Sequence, residues 1–149
     1  MRVRGITAIV TTVLIVGLLG GCGSDPDIRR DGTATADPSK PAGVDLSKVA
    51  FVDLSKDQTP EVDALDNVFK AKFVTVKAGS TITFRNNGRN IHDIIPSVDL
   101  AFKPVEAGAF DAGTAAKITF DKPGDYPYYC SLHGTTTKGM IGAVRVLKG

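Results

Sequence analysis

Apolar and polar residues alternate with a period of two along several stretches of the chain, which is typical of half-buried β-strands. In residues 81–85, for example, Ile82 and Phe84 fall on one face and their polar neighbours on the other. The pattern predicts strands at residues 49–54, 69–77, 81–85, 91–95, 116–120, 126–130 and 143–146. Residues 59–67 are acidic and less periodic, and they fit either a loop or a single helical turn; residues 96–109 read as irregular.

Turn residues separate these predicted strands, as at Ala78-Gly79-Ser80 and at Pro123-Gly124. No stretch has the 3.6-residue period of an amphipathic helix of three turns, and no internal repeat is present. Short strands divided by Gly and Pro turns favour an all-β sandwich. In the strand at 126–130, Tyr126 is expected to brace the fold through a tyrosine-corner hydrogen bond.

The first residues of the chain have the features of an export signal. Arg2 and Arg4 precede a mostly apolar run at 6–19, which is shorter than the roughly 20 residues that a spanning helix needs. The run ends in Leu19-Gly-Gly-Cys22, which resembles the bacterial lipobox. The resemblance implies a signal peptide at 1–21 that is removed, and a diacylglyceryl group on Cys22 that anchors the protein in a membrane. The alternative is a plain secretory signal.

Residues 22–43 have the composition of a flexible linker. They contain three prolines, many small polar residues and one large aliphatic residue, Ile28. Such a segment buries too little apolar surface to offset the entropy of ordering it. As a coil it would span roughly 25 Å. We therefore expect one folded domain at residues 44–149, tethered to the membrane and placed outside the cytoplasm.

The charge balance limits the classes of partner. The chain has 149 residues with 18 basic and 16 acidic side chains, and removal of Arg2 and Arg4 leaves 16 of each sign. No basic stripe is present, so a nucleic-acid partner is not expected. The neutral balance also predicts that docking to partners is not strongly steered by long-range electrostatics.

The two cysteines have different surroundings. If Cys22 carries lipid, Cys130 has no partner for a disulfide. A lone thiol outside the cytoplasm is open to oxidation, so its presence needs a reason. Metal ligation is one reason, and simple burial is the other.

Metal ligation is favoured by the residues that follow Cys130. His133 and Met140 lie within the next ten positions, and His92, the other histidine of the chain, follows a predicted strand. One thiolate, two imidazoles and a weak thioether are the donor set of a blue-copper electron-transfer site. Zinc also binds Cys and His, but methionine is a poor zinc ligand.

The longer pattern around these residues resembles the cupredoxins, and specifically their plastocyanin-like branch. The matching pieces are Val74-x-Val76-x-Ala78-Gly79, Ile82-x-Phe84-x-Asn86, His92, Gly124-Asp-Tyr-Pro-Tyr-Tyr-Cys130-Ser-Leu-His133 and Gly139-Met140-x-Gly142. The resemblance implies a Greek-key β-sandwich of eight or a similar number of strands. It also implies one type 1 copper ion held by His92, Cys130, His133 and Met140, with electrons passing at the exposed edge of His133.

Two departures from the family pattern bear on the site. Six residues separate His133 from Met140, where plastocyanins have four. Asp93 follows the first histidine, where the family usually has an asparagine that braces the ligand loop. An ionised aspartate accepts hydrogen bonds but cannot donate them.

The sequence therefore predicts a monomeric, lipid-anchored blue copper protein that carries single electrons between extracytoplasmic redox proteins. Two histidines are too few for the additional copper centres of a multicopper oxidase, and no nucleophile elbow or phosphate loop is present, so an enzyme is not expected. A copper carrier that delivers the ion to an oxidase is the alternative function. A cupredoxin fold without metal, used only to bind another protein, is a third.

Overall fold

The computed structural model of the chain describes residues 43–149, in which nine β-strands form two sheets. In chain order the strands are β1 (Val52–Asp53), β2 (Glu61–Leu65), β3 (Val68–Lys70), β4 (Phe73–Lys77), β5 (Ser80–Asn86), β6 (Ile95–Pro96), β7 (Ala115–Phe120), β8 (Gly124–Gly134) and β9 (Gly139–Leu147). Two short 3-10 helices, Leu46–Lys48 and Ala107–Ala109, complete the regular structure of this part. Across residues 43–149, no helix has the length and apolarity that a membrane crossing requires. The predicted signal peptide and nearly all of the predicted linker lie outside the described residues.

The two sheets have the strand orders β1-β4-β9-β8-β6 and β3-β2-β5-β7. In the first sheet β4 runs parallel to both β1 and β9, whereas β8 runs antiparallel to its neighbours β9 and β6. The second sheet joins β2 to β5 in parallel and β5 to β7 in antiparallel pairing. This arrangement is the all-β Greek-key sandwich that the sequence predicts.

The core lies between the sheets and follows the period-two pattern of the sequence. In β5 the side chains of Ile82 and Phe84 are fully buried, while Thr81 and Arg85 face solvent. Tyr128 is also fully buried, and its ring meets Phe69 edge-on at 5.0 Å between centroids. Such aromatic pairs add specific geometry to the large apolar area that they bury. The aromatic residues of β8 therefore fix that strand, and the residues that follow it, against the opposite sheet.

Residues 59–67, for which the sequence left a loop or a helical turn open, contain a strand. Val62 and Ala64 of β2 are fully buried, and they alternate with Glu61 and Asp63. The acidic residues obscure the pattern in the sequence, yet they lie on the outer face of the sheet. There Glu61 pairs with the Arg85 guanidinium at 2.8 Å. The period of two in the buried residues was therefore present, but the many acidic residues hid it in the sequence.

The single strand predicted at residues 69–77 is wrong in one respect, because the chain turns within it. Ala71 adopts a left-handed backbone conformation with φ of 56°, and it separates β3 from β4. The two strands then join different sheets. A non-glycine residue with positive φ cannot be recognised from its residue type, so this run of Phe and Val residues was interpreted as one continuous strand. The strand predicted at 49–54 is also shorter and contains only Val52 and Asp53.

The predicted tyrosine corner is confirmed. The Tyr126 hydroxyl donates a hydrogen bond to the Lys122 carbonyl at 2.8 Å, across the turn that leads into β8. A second close approach lies farther along the sheet, where β9 passes beneath Tyr128. A Cβ atom on Gly142 would lie 2.3 Å from the Tyr128 ring and 2.6 Å from the Lys72 carbonyl oxygen. Only glycine leaves room for that ring in the core.

Replacement of Gly142 by alanine should therefore destabilise the domain. Overpacking of a filled core costs about 1–3 kcal/mol, and here one of the two obstructing groups is backbone that cannot rotate away. We expect a lower thermal midpoint and a lower denaturant midpoint for Gly142→Ala. The matched control is Gly108→Ala, in the second 3-10 helix, where nothing lies within 4 Å of the added Cβ. Equal stability of the two variants would contradict this account of the core.

Candidate metal centre

Three potential metal ligands meet where the end of β8 lies against the start of β9. Cys130 and His133 belong to the last part of β8, and His92 comes from the extended segment between β5 and β6. The possible ligand atoms of His92, Cys130 and His133, which we call the donor triad, all lie within 4.8 Å of one another. Residues that are far apart in the chain are therefore brought to one point by the sandwich.

The separations within the donor triad fit a single metal ion. The Cys130 Sγ atom lies 3.6 Å from His92 Nδ1 and 3.4 Å from His133 Nδ1. Bonds of about 2.0 Å to nitrogen and about 2.3 Å to sulfur, at a near-tetrahedral angle, place those two atoms about 3.5 Å apart. The two imidazole rings are 4.9 Å apart between centroids and stand edge to face. One ion can therefore contact the sulfur and both Nδ1 atoms.

The orientation of His92 supports the same conclusion. Its ring is fully buried, and Nε2 has no hydrogen-bond partner of ordinary geometry among the described residues. The Leu65 backbone lies close to the ring, but burial outweighs its influence, and the pKa of His92 is lowered. The opposite nitrogen, Nδ1, faces the sulfur of Cys130. The nitrogen that points into the donor triad is thus the one available to a metal.

Met140, the fourth predicted ligand, lies at the start of β9. It is fully buried and belongs to the same cluster of buried side chains as Cys130. The β8–β9 pairing is irregular between Tyr129 and Gly134, and it resumes at the Gly134–Gly139 pair, next to Met140. The additional residues between His133 and Met140 therefore extend the loop outward, while the methionine keeps a position in the core.

Two glycines allow this loop to close. Gly139 has φ of 79°, and a Cβ atom there would lie 2.5 Å from the His133 carbonyl oxygen. A Cβ atom on Gly134 would lie 2.8 Å from both the Lys138 oxygen and the Met140 nitrogen. Gly43 lies against this longer loop, since a Cβ atom on Gly43 would clash with the Thr136 carbonyl. The start of the described chain therefore lies beside the loop that connects two predicted ligands.

Burial differs within the donor triad. His92 and Cys130 are fully buried, whereas His133 is half-buried. The two exposed apolar residues nearest to the triad in sequence are Ile91, with 49% of its surface exposed, and Leu132, with 53%. The site is thus closed toward the core and reaches solvent through His133.

The surroundings of Cys130 and His92 determine their protonation in the metal-free protein. Burial raises the pKa of the Cys130 thiol, and the backbone N–H groups of Asp93 and Leu132, which are directed at the sulfur, oppose that shift. Burial, followed by the neighbouring His133, lowers the pKa of His92. At neutral pH the metal-free site therefore has a neutral thiol and a neutral His92. A metal that binds the thiolate must displace the proton on sulfur.

Hydrogen bonds fix the segment that carries His92. The Asn86 side chain is buried, and its amide donates to the Asn90 carbonyl at 2.8 Å and to the Phe110 carbonyl at 2.9 Å. Asp66 accepts from the Arg89 backbone N–H at 2.7 Å and also pairs with the Arg89 guanidinium. Asn86 occupies an inward-facing position of β5, and a polar residue there is the sequence signal that identifies it as a brace.

Asp93 makes a further link, which sequence reasoning described only in part. Its carboxylate accepts hydrogen bonds from the Ser131 backbone N–H, at 2.6 Å, and from the Ser131 hydroxyl. The acceptor role expected for Asp93 is therefore sufficient to connect the His92 segment to the Cys130 segment. Sequence reasoning missed Ser131 as the partner, because no local signal links two residues that are 38 positions apart.

Comparison with known proteins identifies the family. The family model described as "Copper binding proteins, plastocyanin/azurin family" matches residues 57–147, which span β2 to β9. The chain belongs to the plastocyanin/azurin family. Copper is the cofactor of this cupredoxin, and its sulfur, imidazole and thioether side chains fit one type 1 copper ion.

Sequence relatives agree with this membership. Chloroplastic plastocyanin of Hordeum vulgare is 37% identical over 86 residues, which cover 53% of this chain and 54% of that protein. Plastocyanin A/B of Petroselinum crispum is 34% identical over 86 residues, and the match covers 53% of this chain and 87% of that protein. The chain spans about half the length of the first plastocyanins that it matches.

A solved structure supports the fold alone. A reduced variant of amicyanin superposes with a TM-score of 0.50 at 24% identity, covering 68% of this chain and 88% of that one. The shared fold agrees with the two-sheet Greek-key sandwich described above.

Proposed function

We propose that this protein carries single electrons between redox proteins on one type 1 copper ion held by His92, Cys130, His133 and Met140. The observation that carries the proposal is the convergence of the donor triad within 4.8 Å in a chain of the plastocyanin/azurin family. Bound copper would supply a one-electron couple between Cu(II) and Cu(I). The contribution of the protein is to hold the ligands in place while the charge changes.

The arrangement of the site suits this role, because rigid ligands reduce the rearrangement that accompanies electron transfer. His92 and Cys130 are buried, and their backbone segments are joined through Asp93 and Ser131. His133, the half-buried member, is the natural point of electron entry and exit. The apolar side chains of Ile91 and Leu132 would lie against a docked redox partner.

The same features make a copper-delivery protein the weaker alternative. Delivery requires that an acceptor reach the ligands and replace them one by one. Here the sulfur and one imidazole are fully buried, and only His133 reaches the surface. Release of the ion would therefore require the buried ligands to become accessible. Transfer of copper to a metal-free acceptor without unfolding would favour delivery over electron transport.

Addition of Cu(II) to the purified protein should produce an intense visible absorption from thiolate-to-copper charge transfer. The absorption should be lost in Cys130→Ser, because the hydroxyl cannot provide the covalent sulfur bond. The matched control is Cys22→Ser, which removes the other cysteine of the chain and should leave the spectrum unchanged. A colourless protein that binds zinc with full stoichiometry would contradict the proposal.

We further propose that residues 1–21 are a signal peptide, that Cys22 carries a lipid, and that residues 22–43 tether the domain to the outer side of a membrane. Support comes from the apolar run and the Leu19-Gly-Gly-Cys22 motif. A monomeric domain on a flexible tether of roughly 25 Å could reach membrane-bound and soluble redox proteins.

Mass spectrometry of the protein extracted from its native membrane fraction tests this arrangement. We expect an N-terminal residue at Cys22 with the added mass of a diacylglyceryl group, since two acyl chains give stable anchoring. The Cys22→Ser variant should leave the membrane fraction. An unmodified protein that begins at another residue would refute the lipid anchor and leave the copper proposal intact.

A further inference from the structure

Asp93 places a carboxylate at the edge of the donor triad. The residue follows His92 directly, and only 4% of its surface is exposed. One oxygen accepts the Ser131 backbone N–H at 2.6 Å, and the other accepts the Ser131 hydroxyl. Both oxygens of Asp93 therefore lie in acceptor positions, which is the hydrogen-bonding role of a carboxylate.

No cationic side chain neutralises this carboxylate. Within residues 43–149, the acidic members of the ion pairs are Asp45, Glu61, Asp66 and Asp125, and none of these pairs includes Asp93. Its two contacts come from neutral donors of a single residue. The thiol that it adjoins becomes a second negative group when it binds a metal. The positive charge that faces the Asp93 carboxylate would then be that of the ion itself.

We propose that Asp93 is a positioning residue that also lowers the reduction potential of the copper site, relative to the same site with a neutral amide at this position. This inference rests on the proposed electron-carrier function. Reduction adds one electron from a redox partner to Cu(II) and gives Cu(I), so the site becomes more negative by one charge. A nearby carboxylate disfavours that step and stabilises the oxidised form, and burial of the group strengthens the effect.

The positioning role acts through the link to Ser131. Ser131 is adjacent to Cys130, while Asp93 is adjacent to His92, so the two hydrogen bonds couple the backbones of two predicted ligands. The backbone N–H of Asp93 also lies against the Cys130 sulfur. One residue therefore contacts the sulfur through its backbone and orients the Cys130 segment through its side chain. Second-sphere contacts of this kind tune both the geometry and the electronic properties of metal sites.

The variant Asp93→Asn separates charge from position. The amide oxygen can accept the Ser131 N–H, and the amide N–H₂ can donate to the Ser131 hydroxyl, whose direction then reverses. The size and both contacts are kept, and one negative charge is removed. The metal-free variant should therefore have the thermal midpoint of the parent protein.

Voltammetry of the copper-loaded proteins tests the proposal. We expect Asp93→Asn to favour Cu(I) over Cu(II) by about tenfold, which is an upward shift of about 59 mV for one electron. The charge control is Asp57→Asn, which removes an exposed carboxylate outside the site and should leave the potential unchanged. The link control is Ser131→Ala, which removes one hydrogen bond but keeps the charge, and it should not raise the potential.

Two results would overturn the inference. If the preference of Asp93→Asn for Cu(I) over Cu(II) differs from that of the parent by less than twofold, the carboxylate does not set the reduction potential. Loss of the visible copper absorption in Asp93→Asn, with an unchanged melting temperature of the metal-free form, would show that the carboxylate is needed to form the site and does not act through its charge. If the parent protein itself gives no reversible couple, the proposed function fails first, and the inference falls with it.

Discussion

The site depends on one constraint, which is that donors from two distant chain segments must be held within reach of a single ion. Cys130 and His133 are three residues apart, but His92 lies far upstream and approaches to 3.6 Å from the Cys130 sulfur. A short loop cannot provide that contact. The β-sandwich provides it by placing β8 beside β9, and by fixing the segment between β5 and β6 over their ends.

Packing and hydrogen bonds share the work of holding this geometry. The Tyr128 ring, two residues before Cys130, is locked between Phe69, Phe84 and the backbone of Gly142. Polar contacts then define the metal end, where apolar packing alone would leave the direction of each ligand free. The result is a site in which His92 and Cys130 are buried and His133 reaches solvent, which is the geometry that an electron carrier needs.

Much of the fold and the site was predictable, because short stretches of the sequence carry patterns that indicate both. The alternation of apolar and polar residues predicted the sandwich, and the spacing of Cys130, His133 and Met140 indicated the candidate ligands. Failures occurred where a tertiary effect has no local signal. Ala71 turns the chain through a positive φ inside an apolar run, and the partner of Asp93 emerges only when distant segments meet. Acidic residues at 61 and 63 masked a strand whose buried face was still regular.

Crystal structures of the protein in its metal-free, Cu(II) and Cu(I) forms test most directly whether the sandwich sets the ligand geometry in advance. The account predicts one copper ion bound to His92 Nδ1, Cys130 Sγ and His133 Nδ1. It also predicts that these atoms move by no more than about 0.5 Å among the three forms, which is the tolerance of a preorganised site. A copper ion bound without His92, or a donor triad that assembles only when the metal is added, would contradict it.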